Sequence, residues 1–193
     1  PIYLFTRDRS IDTVEELSGK RVATIDYDQP SIFLVNHIGA SMVPSNSANF
    51  SGKFNNGSVD VAYAPAVAYK PLEMYKGLEE NGGILRFNLA YMDFQIIIRA
   101  DKFPKGFGQK SRTAVASYFD RVNENVKKET REIDPKFWME LSPETTQQYN
   151  EMLRDVRIKL RDQGVYDAKM LKLMRKLRCK ANPAAAECAE KLE

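Results

Sequence analysis

Short apolar runs that alternate with helical patterns constrain the fold of this chain more than any other feature. Residues 21–25, 41–44 and 59–64 are predicted to form buried strands. Between the first two, a helical pattern includes Ile32 and ends at Gly39. Strands that alternate with helices at this spacing are typical of a mostly parallel sheet flanked by helices. The sequence therefore predicts an α/β fold.

The chain is predicted to have two regions of different character. Apolar runs at 1–6, 84–89 and 94–99 indicate further strands, whereas amphipathic helices follow from about residue 105. We therefore predict an α/β lobe at 1–105 and a C-terminal helical region at 106–193. Three apolar stripes in the second region are predicted to pack in the core: Val115, Phe119, Val122 and Val126; Tyr149, Met152, Leu153, Val156 and Leu160; and Met170, Leu173, Met174 and Leu177.

Composition and charge narrow the classes of function. The chain has 193 residues, 43% of them hydrophobic, and a net charge of +3. Acidic and basic residues interleave without a long run of one sign, so no nucleic-acid partner is predicted, and the positive excess is interpreted as an ordinary charged surface. No apolar stretch approaches the roughly 18 residues of a membrane span. Because the chain begins at Pro1, we expect a processed or truncated product whose precursor carries a signal peptide.

The two cysteines, Cys179 and Cys188, lie close together near the C-terminus. Asn182-Pro183 between them is a turn signal that can fold the segment back. A disulfide here would indicate an oxidising compartment such as the periplasm. The alternative is two free thiols in a cytosolic protein. The disulfide is the favoured prediction.

The sequence contains no recognisable catalytic motif. It has no nucleophile elbow, no dinucleotide or phosphate loop, and no His-Glu-x-x-His metal motif. His37, the only histidine, lies in an apolar helical pattern, and two cysteines with one distant histidine cannot complete a zinc site. Asp26 and Asp28 could act as an acid–base pair, although Asp28 fits better as a helix cap. No catalytic residue, metal or cofactor is predicted.

Three loops are predicted to bind a ligand. In open α/β sheets, ligands lie beyond the carboxyl ends of the strands, next to the N-termini of the following helices. The loops at 26–30, 62–65 and 91–95 occupy such positions, and each combines an aromatic ring with polar groups. The candidate ligand-binding residues are Asp26, Tyr27, Asp28, Tyr63, Asp93 and Gln95. The alternative is that these residues only form caps and turns.

The order of short motifs between residues 10 and 105 resembles type II periplasmic binding proteins, and in particular the receptors of tripartite ATP-independent periplasmic (TRAP) transporters. A divergent branch of solute-binding proteins, linked to RND-type efflux and aminoglycoside resistance, is the most similar. The motifs that carry the resemblance are Leu17-Ser18-Gly19-Lys20-Arg21-Val22, Gly39-Ala40-x-x-Val43-Pro44, Gly57-Ser58-Val59-Asp60 and Ala64-Pro65.

The resemblance implies one lobe of a two-lobed receptor that closes on a small-molecule solute and delivers it to an inner-membrane transporter or pump component. TRAP receptors for organic acids place an arginine where this chain has Ala23, and a polar residue where it has Ala64. Asp26, Asp28 and Asp93 would instead suit a cationic or polar neutral solute. An accessory or scaffolding role in efflux, and an unrecognised enzyme, are the alternatives. With the first lobe absent, we expect exposed apolar surface that self-association or a domain swap would cover.

Overall fold

The computed structural model describes residues 1–93, 95–190 and 192–193. Within them, one mixed sheet of six strands has the order β3-β2-β4-β1-β5-β6. The strands are β1 (Ile2–Thr6), β2 (Arg21–Ile25), β3 (Ser41–Ser45), β4 (Val61–Pro65), β5 (Gly83–Leu85) and β6 (Trp138–Met139). The first strand, β1, is an inner strand between β4 and β5.

The directions of the strands bring most of their carboxyl ends to one edge of the sheet. Strand β2 runs parallel to β3 and β4, and β5 runs parallel to β6. Only β1 among the described strands runs the opposite way, antiparallel to both β4 and β5. The carboxyl ends of five strands therefore lie at the same edge, which we call the carboxyl edge. The predicted α/β fold with a largely parallel sheet is confirmed.

Helices cover both faces of the sheet and continue beyond it. Helix α1 follows a proline start after β2, and the longest helix, α6, is capped by the Ser142 hydroxyl, which accepts a hydrogen bond from the Thr145 amide. The helices are α1 (Gln29–His37), α2 (Phe50–Asn55), α3 (Tyr75–Leu78), α4 (Phe107–Ala116), α5 (Phe119–Arg131), α6 (Pro143–Asp162), α7 (Ala168–Ala181) and α8 (Ala186–Ala189).

Each face of the sheet has its own core. The core on one face, which we call the first core, includes the fully buried Phe5 and Phe54. The core on the opposite face, which we call the second core, includes Val35 of α1 and Tyr149 of α6. Residues after 105 thus complete both the sheet, through β6, and the second core. The predicted division at residue 105 stays a prediction, but the two parts share these contacts.

Several local predictions are wrong, each for a tertiary reason. Residues 95–99 form no strand, and Phe94 lies outside the described residues; the side chain of Ile97 is 88% exposed. A continuous helix predicted from Pro65 to Lys76 does not form, because Pro65 ends β4 and precedes only a short 3-10 turn at Ala66–Ala68. Of the three predicted core stripes, only that of α6 is buried. The stripes of α4–α5 and α7 are exposed at Val115, Phe119, Val122, Met170, Leu173, Met174 and Leu177.

The C-terminal segment is fastened to α6 and α7. Cys179 and Cys188 form the predicted disulfide. Arg178 also donates to the carboxylate of Glu187, from Nε to Oε1 at 2.8 Å, and pairs with Glu193, whose side chain is almost fully buried. No helix in the described part of the chain is long and apolar enough to cross a membrane.

Candidate functional site

The carboxyl edge brings the ends of three parallel strands together. Ile25 of β2 pairs with Ser45 of β3, and the Asp26 amide donates to the Ser45 carbonyl at 3.0 Å. Strand β4 ends beside them at Pro65. The chain leaving β2 turns directly into α1, so that residues 26–28 cross the edge as an exposed loop. This placement is the one predicted for the first two ligand loops.

Asp28 occupies the N-cap position of α1, but its carboxylate does not bond to the first-turn amides. It instead accepts a hydrogen bond from the hydroxyl of Ser31, one turn into the helix. The helix N-terminus favours a negative charge at this point. The prediction that Asp28 begins the helix is confirmed, whereas the capping hydrogen bond that usually accompanies it is replaced by the contact to Ser31.

Tyr63 reaches the same loop from β4. Its hydroxyl oxygen accepts a hydrogen bond from the Ile25 amide at 3.1 Å. Burial raises the pKa of the Tyr63 phenol, and the nearby Asp28 carboxylate raises that pKa further, against the lowering effect of hydrogen bonds with Ile25 and Ser31. The hydroxyl therefore keeps its proton at neutral pH and can act as a donor. Asp28, Ser31 and Tyr63 form one polar cluster, which we call the Asp28 cluster.

Two residues near Asp28, Ser31 and Tyr166, were not among the site residues predicted from the sequence. Ser31 is hidden inside a helical pattern, where a serine has no special meaning. Tyr166 lies in the connection between α6 and α7, and burial raises the pKa of its phenol, with a further rise from the Asp28 charge. No sequence signal links residues 28 and 166, because only the packing of α6 against α1 brings them together.

Asp26 and Tyr27 form the exposed rim of this cluster. Both side chains face solvent, and Tyr27 is 69% exposed. An exposed carboxylate beside an exposed aromatic ring can contact a ligand that enters from solvent without displacing any core residue. The first four predicted site residues, Asp26, Tyr27, Asp28 and Tyr63, are thus gathered at one corner of the carboxyl edge.

Asp93 and Gln95 reach the same edge at a different place. The chain returns to it through Ala90, which pairs with Ile2 at the start of β1. Three strand spacings, about 14 Å, separate the backbones of Ala90 and Ile25 across β1 and β4. The Gln95 side-chain amide donates to the Asp93 carboxylate at 3.2 Å, and both side chains are exposed. This pair therefore forms a second polar group, distinct from the Asp28 cluster.

An aromatic cluster anchors the chain near that second group. Trp138 contacts Tyr3 edge to face, with ring centroids 5.0 Å apart, and the Arg86 guanidinium lies 4.5 Å above the Trp138 ring. Burial raises the pKa of Tyr3, and the neighbouring Tyr91 phenol adds to the rise. Arg86 also pairs with Glu140, so its charge is already balanced. Tyr3 belongs to the first core, so this cluster and Tyr63 lie on opposite faces of the sheet.

Alanines occupy the positions where the resemblance places polar ligands. Ala23 and Ala64 are both buried in the first core. Arg21 cannot replace the missing guanidinium, because it lies at the opposite end of β2 and binds Asp60 through two contacts, Nε–Oδ2 at 3.1 Å and Nη2–Oδ1 at 2.6 Å. No arginine therefore projects from β2 or β4 into the Asp28 cluster. The acidic and aromatic groups define its chemistry.

Comparison with known proteins identifies the family of this chain. The family described as solute-binding protein AdeT 1/2 matches residues 1–193. The chain belongs to this family. It is 44% identical over 189 residues to the protein named "Probable solute-binding protein AdeT1" of Acinetobacter baumannii, covering 98% of this chain and 62% of that relative. The chain therefore spans less than two thirds of the length of this relative.

Solved structures of TRAP periplasmic solute-binding proteins share the fold of this AdeT 1/2 family member. One from Rhodoferax ferrireducens with bound malonate has a TM-score of 0.68 at 19% identity, over 94% of this chain and 60% of that one. The ectoine-binding protein of the TeaABC transporter from Halomonas elongata has a TM-score of 0.62 at 17% identity, over 84% and 57%. The predicted resemblance to TRAP receptors is confirmed at the level of the fold.

Proposed function

We propose that this chain is the solute-binding lobe of an extracytoplasmic receptor, and that the carboxyl edge beside α1 binds a small polar solute with a positive charge. One observation carries the proposal. The structure gathers the carboxylates of Asp26 and Asp28, the Tyr63 hydroxyl and the exposed ring of Tyr27 at one corner. Family membership and fold support the receptor role.

The proposed recognition uses three kinds of contact. An ammonium group of the solute would pair with Asp28, which lies at the N-terminus of α1 and accepts a hydrogen bond from the Ser31 hydroxyl. The ring of Tyr27 would attract the same cation through its face. The Tyr63 hydroxyl would orient a polar oxygen of the solute. Asp93 and Gln95, on the far side of the edge, would contact only a longer solute.

The acidic residues of the proposed site argue against an organic acid as the solute. The neighbour from Rhodoferax ferrireducens is a protein with bound malonate, a dicarboxylate. A carboxylate ligand needs a cationic partner in a site of low dielectric constant. The carboxylates of Asp26 and Asp28 would repel a dicarboxylate, and the nearby Arg157 is already paired with Glu193. The preference for a cation therefore separates this chain from that neighbour in our proposal.

The remaining parts of the proposal concern the protein in the cell. We infer a periplasmic location, supported by the disulfide and by the related periplasmic receptors. A role in binding, not catalysis, fits the family. Delivery to an inner-membrane transporter follows from the receptor role. The alternatives of an accessory function in efflux and of an unrecognised enzyme stay predictions that no structural observation favours.

Titration of the ¹⁵N-labelled chain by NMR tests the proposal, because it detects weak binding and locates it. We would compare a polyamine, an aminoglycoside, neutral amino acids and a dicarboxylate. Shifts confined to residues 25–31, Tyr63 and Tyr166 on adding the cations are expected, and the dicarboxylate should cause none. Asp28→Asn should weaken binding about tenfold or more, because a charge-assisted contact is lost.

Asp120→Asn is the matched control, since it removes the same charge from an exposed position in α5. It should leave the titration unchanged. If Asp28→Asn and Asp120→Asn weakened cation binding equally, the effect would come from net charge, and a specific site would be contradicted. Absence of shifts with every solute at tens of millimolar would overturn the proposal.

A further inference from the structure

Helix α7 concentrates the positive charge of the whole chain. Its 14 residues carry six of the 29 lysines and arginines and none of the 26 acidic residues. The chain as a whole has a net charge of +3, so everything outside α7 sums to −3. The small overall excess that looks ordinary in the sequence is therefore the sum of one strongly basic helix and a mildly acidic remainder.

The same helix exposes an apolar stripe. Met170, Leu173, Met174 and Leu177 are each 45–55% exposed and recur at i, i+3, i+4 and i+7. At this spacing they form one continuous ridge along the helix. Four exposed lysines form a row beside the ridge: Lys169, Lys172, Lys176 and Lys180. An apolar ridge bordered by lysines is typical of helices that lie in the plane of a membrane surface.

The opposite side of α7 is fixed to the protein, so the stripe cannot turn inward. Leu171 and Arg175 are buried. Arg178 pairs with Glu187 and Glu193, and Cys179 is joined to Cys188. A disulfide together with buried ion pairs sets the rotation of the helix about its axis. The outward direction of the stripe is therefore built into the fold.

We propose that α7 is a peripheral membrane-binding element that lies flat on a surface containing anionic phospholipid. The helix is about 21 Å long at 1.5 Å per residue. The ridge would enter the boundary between headgroups and acyl chains, and the lysine stems would extend along it toward the phosphates. The rest of the chain has a net charge of −3, so the same surface would repel it while attracting α7. The molecule would therefore orient with α7 toward the membrane.

Charge and shape favour lipid over an acidic protein partner. A protein partner would need a surface that matches the exposed ridge, whereas a fluid interface adapts to it. Lysine is a compact point charge that pairs with phosphodiester groups without a fixed geometry. A second exposed stripe, at Val115, Phe119 and Val122 of α4–α5, lacks this charge pattern. Helix α5 alternates acids with bases, and it serves as the internal control.

Vesicle flotation of the 193-residue chain tests the proposal directly. The chain should bind vesicles of phosphatidylcholine with 30% phosphatidylglycerol, fail to bind pure phosphatidylcholine, and be released by high salt. Removing three lysines in Lys169→Gln/Lys172→Gln/Lys176→Gln should lower the partition coefficient by roughly fivefold per lysine. Lys102→Gln/Lys105→Gln/Lys110→Gln removes the same charge elsewhere and should bind more strongly than the α7 variant by at least tenfold.

A spectroscopic readout distinguishes insertion of the ridge from general attraction. Leu177→Trp places an indole on the ridge, and its emission should shift to shorter wavelength with anionic vesicles. Val122→Trp on α5 should not shift. The native Trp138 is buried and contributes a constant background. Circular dichroism of each variant checks that α7 remains folded.

Three results would overturn the proposal. The first is no binding to anionic vesicles at millimolar lipid. The second is binding that the α7 and the control lysine variants weaken equally. The third is sedimentation showing that Leu177→Trp disrupts a dimer in the absence of lipid, which would assign the stripe to a second copy of the chain. None of these outcomes depends on the solute site, because Asp28 and Tyr63 are unchanged in every variant.

Discussion

The sheet and the outer helices carry apolar patterns of similar strength but use them differently. Strands β1, β2 and β4, with α6, bury almost every apolar residue that their patterns mark. Helices α4, α5 and α7 show equally regular stripes, and these are left on the surface. Periodicity in a sequence therefore shows which face of an element is apolar. It does not show whether another part of the molecule covers that face.

The largest expected effect contrasts two phenylalanines, one from each region. Phe54 is fully buried, and its ring lies against Gly77, whereas Phe119 is 65% exposed. Phe54→Ala should lower the free energy of unfolding by about 3–5 kcal/mol, because it leaves a cavity in the first core. Phe119→Ala should change it by less than about 0.5 kcal/mol. Urea unfolding followed by circular dichroism measures both, and similar losses would show that the α4–α5 stripe is covered in solution.

Loss of the disulfide should have the next largest effect. Its closed loop is short, so Cys179→Ser/Cys188→Ser should lower the stability of the C-terminal segment by about 2–3 kcal/mol in the chain-entropy model. Amide hydrogen exchange should accelerate in residues 182–190 and in α7, while the sheet keeps its protection. Acceleration throughout the sheet would contradict this, because it would make the C-terminal segment part of one cooperative unit with the core.

A smaller effect is expected at the amino end of β2. The Arg21 guanidinium beside Asp60 holds the pKa of that carboxyl below its ordinary value of 3.8. A carboxyl with a lowered pKa in the folded state stabilises the protein at neutral pH, and this stability is lost as the pH falls through and below that ordinary value. Asp60→Asn should thus cost about 1 kcal/mol at pH 7, because the pair is partly exposed.

The pH profile tests this assignment better than the size of the loss. The difference in unfolding free energy between wild type and Asp60→Asn should shrink as the pH is lowered from 5 to 2. A difference that stays constant with pH would point to packing instead of charge.

The smallest effect concerns the α7 stripe. Leu177→Ser removes an exposed apolar side chain and should change the free energy of unfolding by less than about 0.5 kcal/mol. Leu171→Ser, six residues away on the buried side of the same helix, should cost about 2 kcal/mol or more. Urea unfolding at one temperature compares the unfolding free energies of the two variants. A large loss for Leu177→Ser would mean that the stripe is buried in an assembly and would sharpen the contrast with the sheet.

Much of the α/β part could be predicted from the sequence because local signals and burial agree there. Proline starts and glycine ends bound α1, and apolar runs mark β2 and β4. The candidate residues from Asp26 to Asp28 and Tyr63 followed from the rule that ligands lie beyond the carboxyl ends of strands. Their role as ligands stays a prediction. The segment at 95–99 was assigned a strand wrongly, because β-prone residues form a strand only when a neighbouring strand offers hydrogen bonds.

Residues distant in the chain could not be placed by any local signal. Tyr166 approaches Asp28 only because α6 packs against α1, and β6 joins the sheet only after two intervening helices. Arg21 matches a family motif in the sequence, but its direction toward Asp60 depends on the register between β2 and β4.

The sequence by itself determined the class of fold and the order of strands β1 to β5 along the chain, and it favoured the disulfide. These depend on spacing, propensity and composition, which are local properties. The tertiary structure alone decided the order of strands across the sheet, the pairing of Arg21 and the exposure of the α7 stripe beside its lysines. Burial and contact depend on which surfaces meet, and that is a property of the assembled layers, not of any single segment.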